Sequence, residues 1–389
     1  MSTQAYSKKQ IIQTINTALV GLFVLFAVIM PQDEYNIKIG SLIIVLVLNI
    51  LPILNLNGYS KAIFLFGFIL TSYNIIISIF LTKDIIGNIS VGYPGYILLL
   101  YPIIKNSNID FKWIVICALK LLAYLTAAIA ILDLLGILVF ESNPIVIWLI
   151  TTGNAMIGRG SHLMLYYMVF IKTSPLLFIG LMYGFKNKKL YYIILFTIAI
   201  LLSGTRANVF ALVIAWALAI FLFYIKTSKA RVICIFVIIV MGLLAIQFGL
   251  IEKLLDVFAR KSTGDETRYG HLVGVIEFWE SHPINFIIGS GFTSKFFSYG
   301  VNDYVSNIEL SYWNLLRQVG IIAFSGMMVM YIYPIKLLLK KKKHKEMVIA
   351  YIIYLIIAYT NPFLYSSTGM LITLYMYYLC YLKEKIYEK

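Results

Sequence analysis

Apolar runs, most of them close to the roughly 20 residues that a helix needs to cross a bilayer, recur along this 389-residue chain with short polar turns between them. They place spans near residues 11–30, 39–56, 62–82, 92–104, 113–140, 163–185, 190–204, 207–225, 232–250, 312–335, 347–362 and 365–382, twelve in all. The fourth, seventh and eleventh are short enough to be tilted or re-entrant. The fold class this predicts is an all-α polytopic membrane protein. Helices 1–9 fall in residues 1–250, one long loop in residues 251–311, and helices 10–12 with a polar tail in residues 312–389.

The pattern changes only in residues 251–311. This segment holds eight of the 17 acidic residues and two of the four histidines, His271 and His282. Thr263 and Glu266 stand three apart before an apolar-periodic run, the spacing of a capping box that opens a helix. Leu272, Val275, Ile276 and Trp279 then recur at helical spacing, and Pro283 follows the expected end. The reading is an amphipathic helix of about four turns lying at the membrane surface. Arg268 sits in its first or second turn, where free N–H groups and the helix dipole favour anions.

Composition excludes an ordinary soluble protein. Hydrophobic residues make up 61% of the chain, charged residues 13%, and the mean hydropathy is +0.89, against an apolar share of about 45–50% in soluble domains. The net charge of +15 reads first as topology. With the N-terminus cytoplasmic, lysines fill the inner segments, from Lys8 and Lys9 through Lys186, Lys188 and Lys189 to the run at residues 340–343. The short outer segments carry only Lys38, Lys83, Arg159 and Arg206. By the positive-inside rule both termini are cytoplasmic, residues 251–311 are extracytoplasmic, and no nucleic-acid partner is needed to explain the charge. The first span lacks a small-residue cleavage site and reads as a retained anchor.

The arginines depart from that pattern. Arg159, Arg206, Arg260, Arg268 and Arg317 fall on the outer side or its interface, and Arg231 alone lies inside. A planar guanidinium fork suits bidentate recognition of phosphate, so the set suggests a phosphate or pyrophosphate at the membrane surface. The alternative is pairing with outer carboxylates such as Glu252, Asp265, Glu266 or Glu309. Tyr269 and other outer aromatics could stack on sugars, although interfacial belts enrich the same residues. Cys117, Cys234 and Cys380 sit in predicted spans and suggest no disulfide framework. The four histidines show no ligand spacing, and neither an Asp-x-Asp pair nor a phosphate-cradling loop is present, so no metal or cofactor is expected.

Three motifs carry a family resemblance. Leu202-Ser-Gly-Thr-Arg206-Ala207 resembles the Ser-Gly-x-Arg signature of the bacterial O-antigen polymerase and O-antigen ligase superfamily. Thr267-Arg268, then Trp279, Pro283 and Ile288-Gly-Ser-Gly-Phe292, is similar to that family's long periplasmic loop. Leu315-Leu-Arg-Gln-Val-Gly-Ile321 resembles its re-entry into the next span. The resemblance implies glycosyl transfer, independent of metals, from undecaprenyl pyrophosphate to a lipid-linked oligosaccharide at the outer face of the cytoplasmic membrane. A chain-length regulator is a possible further partner, and the product would be O-antigen of lipopolysaccharide or capsule.

Carried over, Arg206 and Arg268 would bind pyrophosphate or a glycan anion, with Arg159 a looser match and Arg260 and Arg317 as further contacts. Ligases carry a His-Asn pair before the re-entry; here Glu309 and Leu310 hold its place. This favours polymerase over ligase and makes Glu309 the candidate base, with His271 and His282 as alternatives. A rival of another class is a lipid-linked polysaccharide flippase, which would show repeats and broken or charged helices at mid-membrane. A reporter fused after Thr263 or Asn302 should behave as exported and one after Lys343 as cytoplasmic; a cytoplasmic signal from the loop would reverse the assigned orientation.

Overall fold

The computed structural model describes residues 2–33, 35–54, 59–160, 167–225, 227 and 263–382. The expected span at 232–250, Arg231 and Arg260 lie outside the described residues. What is described is a helical membrane protein with little sheet. Five helices are long and apolar enough to cross a bilayer: Gln10–Ile29, Lys61–Thr82, Phe111–Leu134, Arg206–Tyr224 and Ser311–Lys340.

The chain opens with α1 (Ser2–Ile29), α2 (Ile37–Leu48) and the short α3 (Ile50–Leu54). α4 (Tyr59–Phe64) runs through a π-helical turn at Leu65–Leu70 into α5 (Thr71–Thr82). α6 (Ile85–Gly92) tightens into a 3-10 segment, Tyr93–Leu99, before α7 (Leu100–Asn106). α8 (Phe111–Leu134) and α9 (Pro144–Thr151) follow. Local chemistry fixes their starts: Asp110 accepts a hydrogen bond from Trp113 N at 3.0 Å, and Asn143 caps α9 with Pro144 at its first position. The span expected at 113–140 stops at Leu134, beyond which Asp133 accepts from Phe140 N at 2.9 Å and turns the chain.

A larger departure lies at 163–185. Tyr167–Ile171 is a strand, β2, paired antiparallel with β1 (Ala155–Arg159). A five-residue apolar run fits strand or helix equally by hydropathy, and its Tyr-Met-Val-Phe-Ile composition suits the pleated surface. Helix resumes only at Ser174 and continues as α10 (Leu177–Lys186). α11 (Leu190–Leu202) and α12 (Arg206–Ala219) complete the first part.

Beyond the undescribed stretch come α13 (Thr263–Ser281), α14 (Pro283–Ile288) and a small hairpin of β3 (Phe296–Ser298) and β4 (Asp303–Val305). α15 (Ser311–Lys340), α16 (Lys345–Ile357) and α17 (Ser367–Leu382) close the bundle. α17 is buried along its length, and the core around it is rich in tyrosine. Each buried hydroxyl of Tyr331, Tyr354 and Tyr377 donates to a backbone carbonyl, at 3.0, 2.8 and 3.0 Å, which removes the penalty of burying it.

α15 is not one continuous helix. Gly320 leaves helical geometry at φ 74°, ψ 167°, so the carbonyls of Arg317 and Gln318 lose their helical partners. The residues 289–291 turn takes them: Ser290 N donates to Arg317 O at 3.0 Å and Gly291 N to Gln318 O at 2.9 Å. Gly289 is also left-handed, at φ 89°. The two chains approach so closely that a Cβ on Gly320 would stand 2.3 Å from Ile287 O. Gly320→Ala should therefore cost on the order of 2 kcal/mol or more, from positive φ and a backbone clash together. A melting temperature in detergent equal to that of the wild type would refute this account of the break.

Candidate functional site

A cavity of about 790 Å³ lies where the loop before α15 meets the ends of α1 and α6 and the start of α17. A smaller one, about 350 Å³, is lined by Lys105, Lys112 and Tyr378. Ser367 and Tyr378 mark the two cavities on α17, so they open at opposite ends of that 16-residue helix. At 1.5 Å per residue α17 is roughly 24 Å long. The large cavity thus sits away from the lysine-rich end.

Its wall is built by the broken helix. Arg317, fully buried, donates to Ser294 O (3.0 Å), Ser294 Oγ (2.6 Å), Ser290 Oγ (3.3 Å), Ser306 O (2.6 Å) and Asn314 Oδ1 (3.1 Å), and lies over the Phe296 ring. One guanidinium thereby fixes both strands of the loop, residues 290–294 and 306, against the half-helix of residues 311–319. Asn314 and Gln318, one turn apart, share Asn307 Oδ1, each at 3.1 Å, and all three amides line the cavity. The loop is stitched to the bundle on its other side. Phe292 N donates to Ser78 Oγ at 3.2 Å, Thr293 N to Asn88 Oδ1 at 3.3 Å, and Phe292 stacks on Tyr365, centroids 5.6 Å apart.

The opposite wall comes from residues 31–39 and 86–94. Asp33 caps α2, accepting from Lys38 N at 3.0 Å and Ile39 N at 2.9 Å. The Lys38 side chain is buried, its Nζ donating to Pro31 O at 2.6 Å and Ser367 Oγ at 3.0 Å. Lys172, just after β2, supplies a third stretch of lining. Burial lowers its pKa, and the nearby charge of Glu309 opposes that shift.

The residues picked out by sequence fall into separate groups. Arg268 and Glu309 meet: Nη2 to Oε2 is 2.8 Å, with Arg268 Nη1 also 3.1 Å from Asp265. His271, nearly buried one turn further along α13, bonds Ser298 Oγ; burial holds its pKa below the usual histidine value, with Glu309 opposing and Arg268 adding to the shift. Tyr269 is exposed. α13 turns His271 and Val275 inward against the β3–β4 hairpin, whereas Ile276, expected on the apolar face, is 41% exposed. Leu272, Val275 and Trp279 of the expected stripe pack in one apolar cluster, and only Ile276 departs from it.

Arg159 lies elsewhere. It forms a two-pronged pair with buried Asp133, 3.0 and 2.8 Å, and reaches Glu141 at 3.4 Å. Asp133 stands at the end of α8, where this arginine satisfies it. Arg206 opens α12. The preceding Gly204 packs on Tyr167 and Met168, at the end of the hairpin that carries Arg159. The Ser-Gly-x-Arg segment and Arg159 thus share one neighbourhood, and Arg268 and Glu309 another.

Among these residues only neighbours of the loop motifs line the large cavity, and sequence reasoning missed its polar lining: Lys172, Asn307, Asn314 and Gln318. Gln318 carried a signal, since it follows Arg317 within the Leu315–Ile321 motif, and Asn314 stands just before that motif. Lys172 carried only that of a lone charge inside an apolar run. Among the described residues no three His, Cys, Asp or Glu side chains gather within reach of one ion. No protein-family model matches the chain, and no curated protein matches it.

Two arginines should respond differently to truncation. Arg317→Ala strands buried acceptors at Ser294 and Ser306, at about 1–3 kcal/mol each, and should sharply lower the melting temperature and yield. Arg268→Ala breaks only half-exposed pairs, worth about 1 kcal/mol or less. Equal loss of folded protein in both would contradict the assignment.

Proposed function

We propose that the protein is a polysaccharide polymerase, acting on O-antigen or capsule, that transfers a glycan from undecaprenyl pyrophosphate to a lipid-linked repeat unit on the outer face of the cytoplasmic membrane. In this reading the chain crosses that membrane up to twelve times with both termini inside, and residues 251–311 face out. The observation that carries it is the large cavity, lined by amides and aromatics, at the end of the bundle opposite Lys105 and Lys112. It lies beside Ile308, whose neighbour Glu309 holds Arg268. The motif resemblance supports the same reading, because the residues 289–291 turn and the residues 317–320 re-entry, far apart in sequence, are joined by backbone hydrogen bonds.

The chemistry requires little beyond fixed charge. The acceptor hydroxyl attacks the anomeric carbon of the donor glycan; the new C–O bond forms as the bond to pyrophosphate breaks, and its electron pair leaves with the pyrophosphate. Glu309 takes the hydroxyl proton, and arginine stabilises the departing charge. The 2.8 Å pair of Arg268 with Glu309 adds a sequence of events. Pyrophosphate that engages the Arg268 fork displaces Glu309, freeing the carboxylate to act as base only when donor is bound. Arg206, near Arg159 and the hairpin, would contact the glycan or its phosphate from the other side.

A second reading, a flippase for lipid-linked saccharides, draws on the break in α15 at Gly320 and the buried Lys38. The break leaves residues 321–340, roughly 30 Å of helix, to span the hydrocarbon. Gly320 is then at the membrane edge and not at its middle, which favours the polymerase.

Purified full-length protein given a lipid-pyrophosphate-linked repeat unit should produce a ladder that survives EDTA. Arg206→Ala or Arg268→Ala should abolish it, with a loss of about 10²–10³ in rate for a preorganised donor, and Arg→Lys at either site should restore little. Arg231→Ala should be near neutral. Transfer of the lipid between leaflets without any ladder would support the flippase, and a ladder from Arg268→Ala would remove the loop pair from the mechanism.

A further inference from the structure

The cations of the described residues differ in how far their hydrogen-bonding capacity is already spent. Arg317 faces five oxygen acceptors and is closed off from solvent. Lys38 is tied to Pro31 O and Ser367 Oγ behind the wall. Arg268 is held by Glu309 and Asp265, and Arg159 by Asp133 and Glu141. Lys172 lines the cavity, and its side chain makes no hydrogen bond or ion pair among the described residues. Its chain position is rigid: Lys172 N donates to Asn154 O at 3.0 Å, and Thr173, fully buried, donates to Val28 O.

The rest of the lining suits an anion placed against that ammonium. Asp33 is the one carboxylate among the described lining residues, and both its oxygens are occupied by backbone N–H groups. Asn307, Asn314, Gln318 and Ser311 supply neutral polar groups. At one edge the lining changes character. Ile86 and Ile89 of α6 line the cavity and are also 83% and 41% exposed, so the pocket is continuous with an apolar outer surface. A cavity of about 790 Å³ falls in the range of sites for drug-sized ligands and exceeds what a lone phosphate fills.

We propose that Lys172 is the cation that receives the phosphate of a membrane-borne amphiphile in this cavity, with the ligand's apolar tail leaving past Ile86 and Ile89. The assignment deepens the polymerase reading, on which the identity of the amphiphile as a polyprenyl pyrophosphate rests. It places the first anion contact on a lysine. A compact ammonium holds a phosphate without imposing a fork geometry, which suits a headgroup that must slide on toward the Arg268–Glu309 pair.

The test is equilibrium binding of farnesyl pyrophosphate to the purified full chain in nanodiscs, with inorganic pyrophosphate and farnesol as separate probes. Farnesyl pyrophosphate should bind at least about tenfold more tightly than either. Lys172→Gln should weaken it about tenfold or more, as expected for loss of a charge-assisted contact, and Lys172→Arg should stay within about threefold of the wild type. If Lys172→Gln does not fold, amine-reactive labelling of wild-type protein decides: bound farnesyl pyrophosphate should protect Lys172 and leave Lys336 labelled. Unchanged binding by a folded Lys172→Gln, or unprotected Lys172, overturns the proposal. Farnesol binding as tightly removes the anion contact, and inorganic pyrophosphate binding as tightly removes the amphiphile. The assay needs neither acceptor nor turnover, so a missing ladder would defeat the polymerase reading and leave this result standing.

Discussion

The structure hangs on two backbone hydrogen bonds, Ser290 N to Arg317 O and Gly291 N to Gln318 O. A helix interrupted mid-course leaves carbonyls without partners, and in a water-poor setting each costs several kcal/mol. The break at Gly320 is tolerable because the residues 289–291 turn delivers N–H groups to those carbonyls, and the turn can approach because Gly289 and Gly320 carry no side chains. The loop is thereby a part of the bundle in all but sequence order.

Arg317 extends that docking into three dimensions. A guanidinium has five N–H donors in one plane, enough to gather Ser290, Ser294, Ser306 and Asn314 about a single point. With residue 306 fixed, Asn307 can bridge Asn314 and Gln318, and the cavity acquires its wall of amides. Ser78 and Asn88 secure the same loop from α5 and α6. The wall is therefore set by Arg317, Ser78 and Asn88, which do not line the cavity, and the residues that do line it inherit their positions.

Much of this was legible in the sequence, for identifiable reasons. Apolar runs near 20 residues announce bilayer-crossing helices whatever their neighbours. The helix at Thr263–Ser281 could be read from its first turn, although its buried stripe passes through His271 and Val275 and not through Ile276. Illegible features depend on distant partners. Tyr167–Ile171 is a strand only because Ala155–Arg159 lies beside it. The arginines look alike in sequence, yet Arg317 is enclosed, Arg159 answers Asp133 and Arg268 answers Glu309. Lys172 stands in an apolar stretch with no neighbouring signal, and only the cavity gives it meaning.

The apolar edge at Ile86 and Ile89 has a consequence for how occupancy must be counted. A ligand that enters past these side chains arrives by lateral diffusion in two dimensions, so the quantity that sets saturation is its mole fraction among the lipids and not its molarity in the sample. Diluting vesicles tenfold at constant lipid composition would leave such a site as full as before, whereas adding inert lipid would empty it.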